Sequence, residues 1–254
     1  MAQRYFIKLA FDGSHYHGWQ QQPNALSIEH MVGEAVCTIL RHNVSVTGCG
    51  RTDTGVHARE FYAHFDTEPI IENEENTVYK LNGVLPDDIA IQRLIKVKPD
   101  AHARFSALRR TYQYFINANR SPFDNKYSYF YYKNLDIALM NETCLILKSF
   151  RNFSCFAKSH TQVKNFLCTI HEATWVNEDG RHIFTITANR FLRNMVRAIV
   201  GTMLDVGTHK ISPEDFRTII EKGTRSDAGM SVPAKGLFLT AVEYPEDIFY
   251  KNNI

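Results

Sequence analysis

The chain has 254 residues, 44% of them hydrophobic, and its 29 basic and 27 acidic residues leave a formal net charge of +2. A chain of this size can bury the core of one large domain or two small ones, and its near-balanced charge neither requires nor excludes a nucleic-acid partner. No run of about 18 apolar residues suggests a membrane span, and the strand-like start argues against a signal peptide, so we expect a cytoplasmic protein.

The cysteine pattern argues against two kinds of stabilising site. Five cysteines are an odd number, and no two of them form a Cys-x-x-Cys pair. Neither a disulfide framework nor a zinc site is therefore indicated. We expect these residues to behave as small buried hydrophobes.

The first hundred residues predict the order strand, helix, strand, strand, helix, strand. Apolar residues alternate over 5–11, as in a strand, and a 3.6-residue period over 28–40 predicts a helix capped by Asn24 or Ser27. The other predicted elements are strands over 44–46, 60–66 and 89–97 and a short helix over 77–84. This order is typical of a ferredoxin-like unit, an antiparallel sheet with helices on one face.

Two glycine-containing loops in this half carry polar and aromatic side chains. The first covers residues 12–20, and the second covers residues 48–58 with three glycines, Arg51, Asp53 and His57. Glycines permit positive φ and let another molecule's backbone approach closely. Asp53 is the only carboxylate of the second run, and an Asp-Thr-Gly taken alone is more often an ordinary turn. Its role therefore depends on what the rest of the chain supplies.

The composition becomes basic and aromatic near Arg104, where we place a boundary between domains 1–104 and 105–254. The second half predicts strands over 111–116, 167–176, 181–187 and 236–244, and helices over 136–148, 189–206 and from Ser212 to Gly223. In the first of these helices Ala138, Leu139, Leu145 and Ile146 are expected to face inward. We expect an α+β fold of two tandem ferredoxin-like units with mainly antiparallel sheets, helices on one face and an active-site cleft at their junction.

Three features are candidates for that cleft: Asp53, the ring of Tyr112, and an arginine stripe. The stripe consists of Arg190, Arg193 and Arg197, which share one face of the helix predicted over 189–206. An ionised carboxylate suits a nucleophile or a charge stabiliser, while aromatic rings and arginines suit RNA bases and phosphates.

Two other function classes fit parts of this pattern. Residues 53–55 match the Asp-Thr-Gly signature of aspartic proteases, in which two such carboxylates, one from each copy of the motif, share one proton. An arginine two residues earlier would instead favour ionisation of both carboxylates, which argues against this class. A non-catalytic RNA-binding module is the second alternative, since ferredoxin-like sheets also serve as RNA platforms.

Motifs along nearly the whole chain resemble those of tRNA pseudouridine synthase I, the bacterial TruA family. The matching segments are Asp12-Gly13, Tyr16-x-Gly18-Trp19-Gln20, residues 50–58, Arg109-Arg110-x-Tyr112, residues 189–201, and Pro233-Ala234-x-Gly236-Leu237-x-Leu239. The resemblance implies isomerisation of uridine to pseudouridine at positions 38 to 40 of the tRNA anticodon stem-loop, by a homodimer without cofactor or metal.

The same resemblance implies a role for each matching residue. Asp53 would be the catalytic carboxylate, Tyr112 the ring that stacks on the target base, and Arg197 the partner of Asp53. Leu237 would be the apolar wall of the pocket. The other predicted substrate-binding residues are Asp12, Tyr16, Trp19, Gln20, Arg51, Arg109, Arg110 and Arg193.

Overall fold

The computed structural model describes residues 2–158 and 165–250, and these fall into two compact units. The first unit contains residues up to 108 together with those from 239 onward, and the second contains 109–238. Residues from 239 onward thus return to the unit in which the chain begins. The predicted division into domains 1–104 and 105–254 stays a prediction.

The first unit is an antiparallel sheet with two helices. Its strands are β1 (Gln3–Phe11), β2 (Thr47–Gly48), β3 (His57–Thr67) and β4 (Ile89–Val97), and its helices are α1 (Ile28–Leu40) and α2 (Glu74–Val84). Strand β1 lies between β3 and β4 and pairs antiparallel with both. Strand β2 pairs with β3, and β3 also neighbours the last strand, β9 (Leu237–Glu243).

Buried aromatic side chains fill both faces of β1. Tyr5 stacks on Phe65 of β3, with ring centroids 5.9 Å apart. On the opposite face the ring of Phe6 contacts those of Tyr244 and Phe249, at 5.2 and 6.4 Å. Because successive side chains of a strand point to opposite faces, the chain end after β9 covers the face that the Tyr5–Phe65 pair does not.

The second unit combines a three-stranded antiparallel sheet with three helices. Its elements are β5 (Arg109–Asn117), β6 (Tyr129–Phe130), α3 (Ile137–Ser149), β7 (Ile170–Glu178), β8 (Arg181–Ala188), α4 (Met195–Gly207) and α5 (Pro213–Lys222). Strand β8 pairs antiparallel with β5 and β7, and the short β6 pairs parallel with β5. Asp179 and Gly180 both have positive φ, which the tight turn of the β7–β8 hairpin requires.

Side-chain contacts attach two helices of the second unit, α3 and α4, to its sheet. Asn141 of α3 accepts from the backbone N of Trp175 at 2.9 Å and donates to its carbonyl at 3.0 Å. The indole of Trp175 lies 3.2 Å from Sδ of Met203 in α4 and stacks on Phe184 of β8. Trp175 therefore links both helices to the strand pair.

These elements confirm an α+β fold with a mainly antiparallel sheet, and they correct six details. The strand predicted from residue 60 begins at His57, and the helix predicted from residue 77 begins at Glu74. Residues 44–46 form no strand, because pairing with β3 includes only Thr47 and Gly48. The strand predicted from residue 167 begins at Ile170. In α3 the predicted inward face is wrong in part: Ala138 and Leu145 are exposed and Leu139 is half-buried, while Ile146 is buried as predicted. The other buried residues of this helix are Met140, Thr143, Cys144 and Leu147. Helix α4 begins at Met195, six residues later than predicted.

Four of the five cysteines, all but Cys37, are buried as small apolar side chains. Burial raises the pKa of the Cys144 and Cys155 thiols to about 12, so both remain protonated at neutral pH. Among the described residues, no helix has the length and apolarity that a membrane crossing needs.

Candidate active site

Asp53 lies on a loop of the first unit that is packed against a second loop. We call residues 48–56 the Asp53 loop and residues 12–20 the aromatic loop. The backbone N of Trp19 donates to Oγ1 of Thr52 at 3.0 Å, and the backbone N of Gly55 donates to the carbonyl of Tyr16 at 3.3 Å. These two hydrogen bonds fix the Asp53 loop on either side of Asp53.

Glycines make this close approach possible. A Cβ on Gly18 would lie 2.2 Å from the carbonyl oxygen of Thr52, and Gly18 also has a φ of +85°. A Cβ on Gly13 would lie 2.0 Å from the carbonyl oxygen of Val56. Backbone atoms cannot withdraw as a flexible side chain can, so larger residues at 13 and 18 would separate the two loops.

A tight turn presents Asp53 itself. The backbone N of Val56 donates to the carbonyl of Asp53 at 3.2 Å, and Gly55 supplies the positive φ, +75°, at the third position of the turn. Asp53 is partly exposed, while Arg51 and Thr54 beside it are exposed. The turn therefore leaves the carboxylate accessible, while hydrogen bonds to the aromatic loop hold the backbone before and after Asp53.

The Asp53 loop rests on a buried aromatic pair. Trp19 is 2% exposed and stacks on Phe61 of β3, with centroids 4.2 Å apart and an angle of 26° between the planes. Gly48 leaves room for the indole, because a Cβ there would lie 2.4 Å from its Nε1. Trp19 thus packs against Phe61 and the backbone of Gly48 at the start of the Asp53 loop.

Two further polar side chains of the aromatic loop, Tyr16 and Asp12, bind groups of the first unit. Tyr16 donates to Oδ1 of Asp88 at 2.6 Å, and burial together with that carboxylate raises the pKa of Tyr16. Oδ1 of Asp12 accepts from the backbone N of Ser14 at 2.9 Å and lies 2.9 Å from Nδ1 of the buried His57. In this structure Asp12, Tyr16 and Trp19 hold the loop in place, whereas Gln20 is exposed.

In the second unit, Tyr112 lies on β5 opposite Ile186 of β8. Its ring is partly exposed and meets the ring of Phe191 edge to face at 5.1 Å. Arg110, on the same strand, donates from Nη1 to the carbonyl of Asn189 at 3.0 Å. Strand β5 is thereby tied to the segment that precedes α4.

The predicted arginine stripe does not exist as a helical face. Asn194 has a φ of +68°, a left-handed conformation that asparagine tolerates and that interrupts a helix. Arg190 and Arg193 therefore lie on the segment before α4, and only Arg197 lies on the helix. The apolar Phe191 and Leu192 continue the helical period through this segment, which is why periodicity placed the helix start too early.

Arg197 binds the segment that leads to the last strand. Its Nε donates to the carbonyl of Val232 at 2.7 Å, and the backbone N of Val232 donates to the carbonyl of Arg197 at 3.2 Å. The next carbonyl, of Pro233, accepts from the buried hydroxyl of Tyr114 at 2.8 Å. Burial raises the pKa of Tyr114, so this hydroxyl stays a donor. Leu237, which begins β9, is 5% exposed.

The predicted site residues therefore form two groups. Those on the paired loops of the first unit are Asp12, Tyr16, Trp19, Gln20, Arg51 and Asp53, and those in the second unit are Arg109, Arg110, Tyr112, Arg193, Arg197 and Leu237. The contacts of Thr52 and Asp88 were not predicted, because neither residue type marks a loop anchor in the sequence. Within the two described stretches, no group of three or more His, Cys, Asp or Glu side chains is arranged to hold a metal ion.

Comparison with known proteins identifies the family. A family model described as tRNA pseudouridine synthase matches residues 150–245. A Bacteroides fragilis protein named tRNA pseudouridine synthase A is 51% identical to this chain, covering 97% of it and 98% of the relative. The Bacteroides thetaiotaomicron protein of the same name is 50% identical, covering 97% and 93%. The chain belongs to the tRNA pseudouridine synthase A family.

Membership of the tRNA pseudouridine synthase A family confirms the resemblance and the enzyme class expected from it. The family model covers Arg193, Arg197 and Leu237, while the full-length relatives also span the Asp53 loop. A solved structure titled "Crystal Structure of a Cbf5-Nop10-Gar1 Complex" covers 92% of this chain and 57% of its own, at 11% identity and a TM-score of 0.35, and no conclusion rests on it.

Proposed function

We propose that this chain isomerises uridine to pseudouridine at positions 38 to 40 of the tRNA anticodon stem-loop, with Asp53 as the essential carboxylate. The observation that carries the proposal is kinship with tRNA pseudouridine synthase A over 97% of the chain. The geometry of the Asp53 loop supports it, because a catalytic group must be held in place before the substrate arrives. Asp53 meets this need through the turn and the paired loop.

The reaction determines what the site must do. The bond from C1′ of the ribose to N1 of uracil breaks, a bond from C1′ to C5 forms, N1 gains a proton, and the proton on C5 leaves. The base must rotate between these events, so it has to leave the helical stack and be retained in a pocket. A carboxylate assists either by attacking the sugar or base or by stabilising positive charge on the ribose.

The other roles are assigned on family membership and on exposure. Tyr112, with its partly exposed ring, would stack on the target uracil, Arg197 would pair with Asp53, and Leu237 would be the apolar wall of the pocket. The exposed side chains Gln20, Arg51, Arg109 and Arg193, with the partly exposed Arg110, would bind tRNA. Asp12, Tyr16 and Trp19 would act through the shape of the aromatic loop.

We also propose that the chain is two tandem ferredoxin-like units and functions in the cytoplasm as a homodimer without cofactor or metal. The first unit supports the fold assignment, since its strands follow the order β4-β1-β3, the two-residue β2 pairs with β3 beside β9, and helices follow β1 and β3. Sedimentation equilibrium of the purified chain would test the dimer. A mass equal to one chain at micromolar concentration would contradict it.

The decisive experiment measures release of tritium from tRNA labelled at C5 of uridine. Asp53→Asn keeps the size of the side chain but removes its charge, so we expect no tritium release and no pseudouridine at positions 38 to 40. The Kd for tRNA should change by less than about tenfold, or roughly 1.4 kcal/mol. Asp87→Asn, at an exposed carboxylate of the same unit, is the matched control and should retain activity.

Two results would contradict the proposal. If Asp53→Asn still isomerises uridine, the carboxylate is not essential. If the wild-type chain binds tRNA and neither it nor the variant forms pseudouridine, the chain is an RNA-binding module without catalysis.

A further inference from the structure

Phe105 is a large apolar side chain held out from the first unit. Its ring is 75% exposed, although it lies only two residues from the buried Ala103. A single exposed apolar side chain is common on protein surfaces and by itself implies no function. What distinguishes Phe105 is the rigidity of the segment that presents it, which we call the Phe105 loop (residues 101–106).

Hydrogen bonds on every side fix the Phe105 loop. The backbone N atoms of Arg104 and Phe105 both point to Nδ1 of His102, at 3.1 and 3.4 Å. His102 and Ser106 close the loop through two further bonds of 2.9 Å, one from the backbone N of His102 to Oγ of Ser106 and one from the backbone N of Ser106 to the carbonyl of His102. The exposed ring is therefore not on a loosely attached segment.

Anchors outside the loop hold its buried side. Arg4 donates from Nη1 to the carbonyl of Ala101 at 2.8 Å, and the hydroxyl of Tyr244 donates to the carbonyl of Ala103 at 2.5 Å. The backbone N of Ala103 donates to Nδ1 of the buried His64 at 3.3 Å. These bonds orient the loop so that Phe105 projects outward.

Three rings contact one another in succession, from the buried His64 through His102 to the exposed Phe105. The centroid of His64 lies 4.5 Å from that of His102, and the centroid of His102 lies 4.4 Å from that of Phe105. Burial and the nearby Arg4 lower the pKa of both imidazoles, so both are neutral at pH 7. The guanidinium carbon of Arg104 lies 5.4 Å from the centroid of Phe105. An outward aromatic face thus has a cation beside it.

We propose that Phe105 is a stacking platform for an unpaired base of the tRNA substrate, with Arg104 placed for the adjoining phosphate. The inference rests on the proposed function and adds a substrate contact outside the residues that the sequence motifs marked. RNA fits this chemistry better than a protein partner does, because the loop has an aromatic face and a guanidinium but no carboxylate of its own. A flat ring supported by rings accepts any base, so the contact adds affinity without sequence preference.

The test compares four variants by their Kd for an anticodon stem-loop RNA and for full-length tRNA. Phe105→Ala and Phe105→Leu should each raise the Kd for at least one of the two RNAs by about tenfold or more. For Phe105→Trp, both Kd values should remain within about threefold of wild type. Tyr79→Ala, which removes a 79% exposed ring from α2 of the same unit, is the matched control and should bind normally. Because Phe105→Leu keeps an apolar side chain, weaker binding by this variant would indicate loss of the aromatic ring rather than loss of apolar volume.

Two further readouts separate stacking from other roles. Removing a neutral ring should leave the slope of log Kd against log salt unchanged, whereas Arg104→Ala should reduce it by about one phosphate contact. Ultraviolet irradiation of the wild-type complex should cross-link RNA to a peptide that contains Phe105.

Three outcomes would overturn the inference: Kd values of both RNAs unchanged in Phe105→Ala, equal binding by the leucine and tryptophan variants, or weaker association of two protein chains with unchanged RNA binding. The last would assign Phe105 to an interface between copies. Failure of the proposed function is distinct, since it would appear as an absence of pseudouridine formation by the wild-type chain.

Discussion

Substituting Gly18 by alanine should damage catalysis at a residue that need not touch the substrate. The new Cβ would start 2.2 Å from the carbonyl oxygen of Thr52, and a contact of ordinary length requires a shift approaching 1 Å between two backbone segments. The φ of +85° adds a conformational cost of roughly 1–2 kcal/mol for a residue with a side chain. With about 1–3 kcal/mol for the overlap, we expect the free energy of unfolding to fall by about 2–5 kcal/mol.

The effect on turnover follows from the position of Thr52 next to Asp53. A displacement of about 1 Å in a catalytic group can cost about 10²-fold in rate, so kcat/KM for tritium release should fall by about that factor. The Kd for tRNA should change much less, because the exposed side chains proposed to bind RNA remain. Urea unfolding supplies the stability value, and activity is measured at a temperature where the variant remains folded.

Gly50, which lies on the Asp53 loop that Gly18 contacts, provides the control. A Cβ at this position would have no heavy atom within 4 Å, and its φ is not in the positive range. Gly50→Ala should therefore keep wild-type stability to within about 1 kcal/mol and retain nearly full activity. If Gly18→Ala matches Gly50→Ala in both measurements, contact between the paired loops does not position Asp53.

Two more predictions concern single side chains with well-defined contacts. Arg197→Ala removes the hydrogen bond to the carbonyl of Val232, so we expect the free energy of unfolding to fall by about 1.5–3 kcal/mol and the rate of tritium release to fall as well. Arg190→Ala, at a residue before the helix, is the control and should lower both quantities less. Equal losses in the two variants would show that Arg197 has no special role. Burial lowers the pKa of His64 to about 4 from 6.5, so the unfolded chain takes up this proton first. Stability from neutral His64 is therefore complete above pH 6.5 and declines by about 3 kcal/mol towards pH 4. His64→Asn keeps an acceptor for Ala103, and its urea-unfolding free energy should lack this decline; an unchanged pH dependence would refute the assignment.

Three helix starts with a side-chain cap could be predicted from the sequence, whereas the Asn73 cap of α2 was missed, so that helix begins at Glu74 rather than at residue 77. Ser27 and Ser212 accept hydrogen bonds from backbone N atoms of the first turns of α1 and α5, and Pro213 and Asp215 support the second cap. The start of α4 has no side-chain cap, and the left-handed Asn194 marks it instead. Apolar residues before Asn194 keep the helical period without forming a helix, so periodicity alone could not locate the boundary.

The same distinction applies to the candidate site. The sequence predicted the residue types and the loops that carry them, because local motifs contain that information. It could not predict that Tyr16 binds Asp88 or that Arg197 binds the carbonyl of Val232, since these partners are 72 and 35 residues apart along the chain. Backbone acceptors leave no signal in the residue type at all, so Val232 was not recognisable as a partner.

The glycines of the two loops were recognised from the sequence, but only part of their role could be inferred from it. Glycine-rich sequence was interpreted as room for another molecule's backbone, yet Gly13, Gly18 and Gly48 each accommodate a neighbour from this same chain, and Gly55 supplies the turn. Only Gly50 among the glycines of residues 48–50 has open space around it. Most of these glycines therefore make the Asp53 loop rigid rather than mobile. A rigid loop is what a carboxylate needs if it is to stabilise a transition state without first being reorganised, so these glycines support the proposal that Asp53 is a preorganised catalytic group.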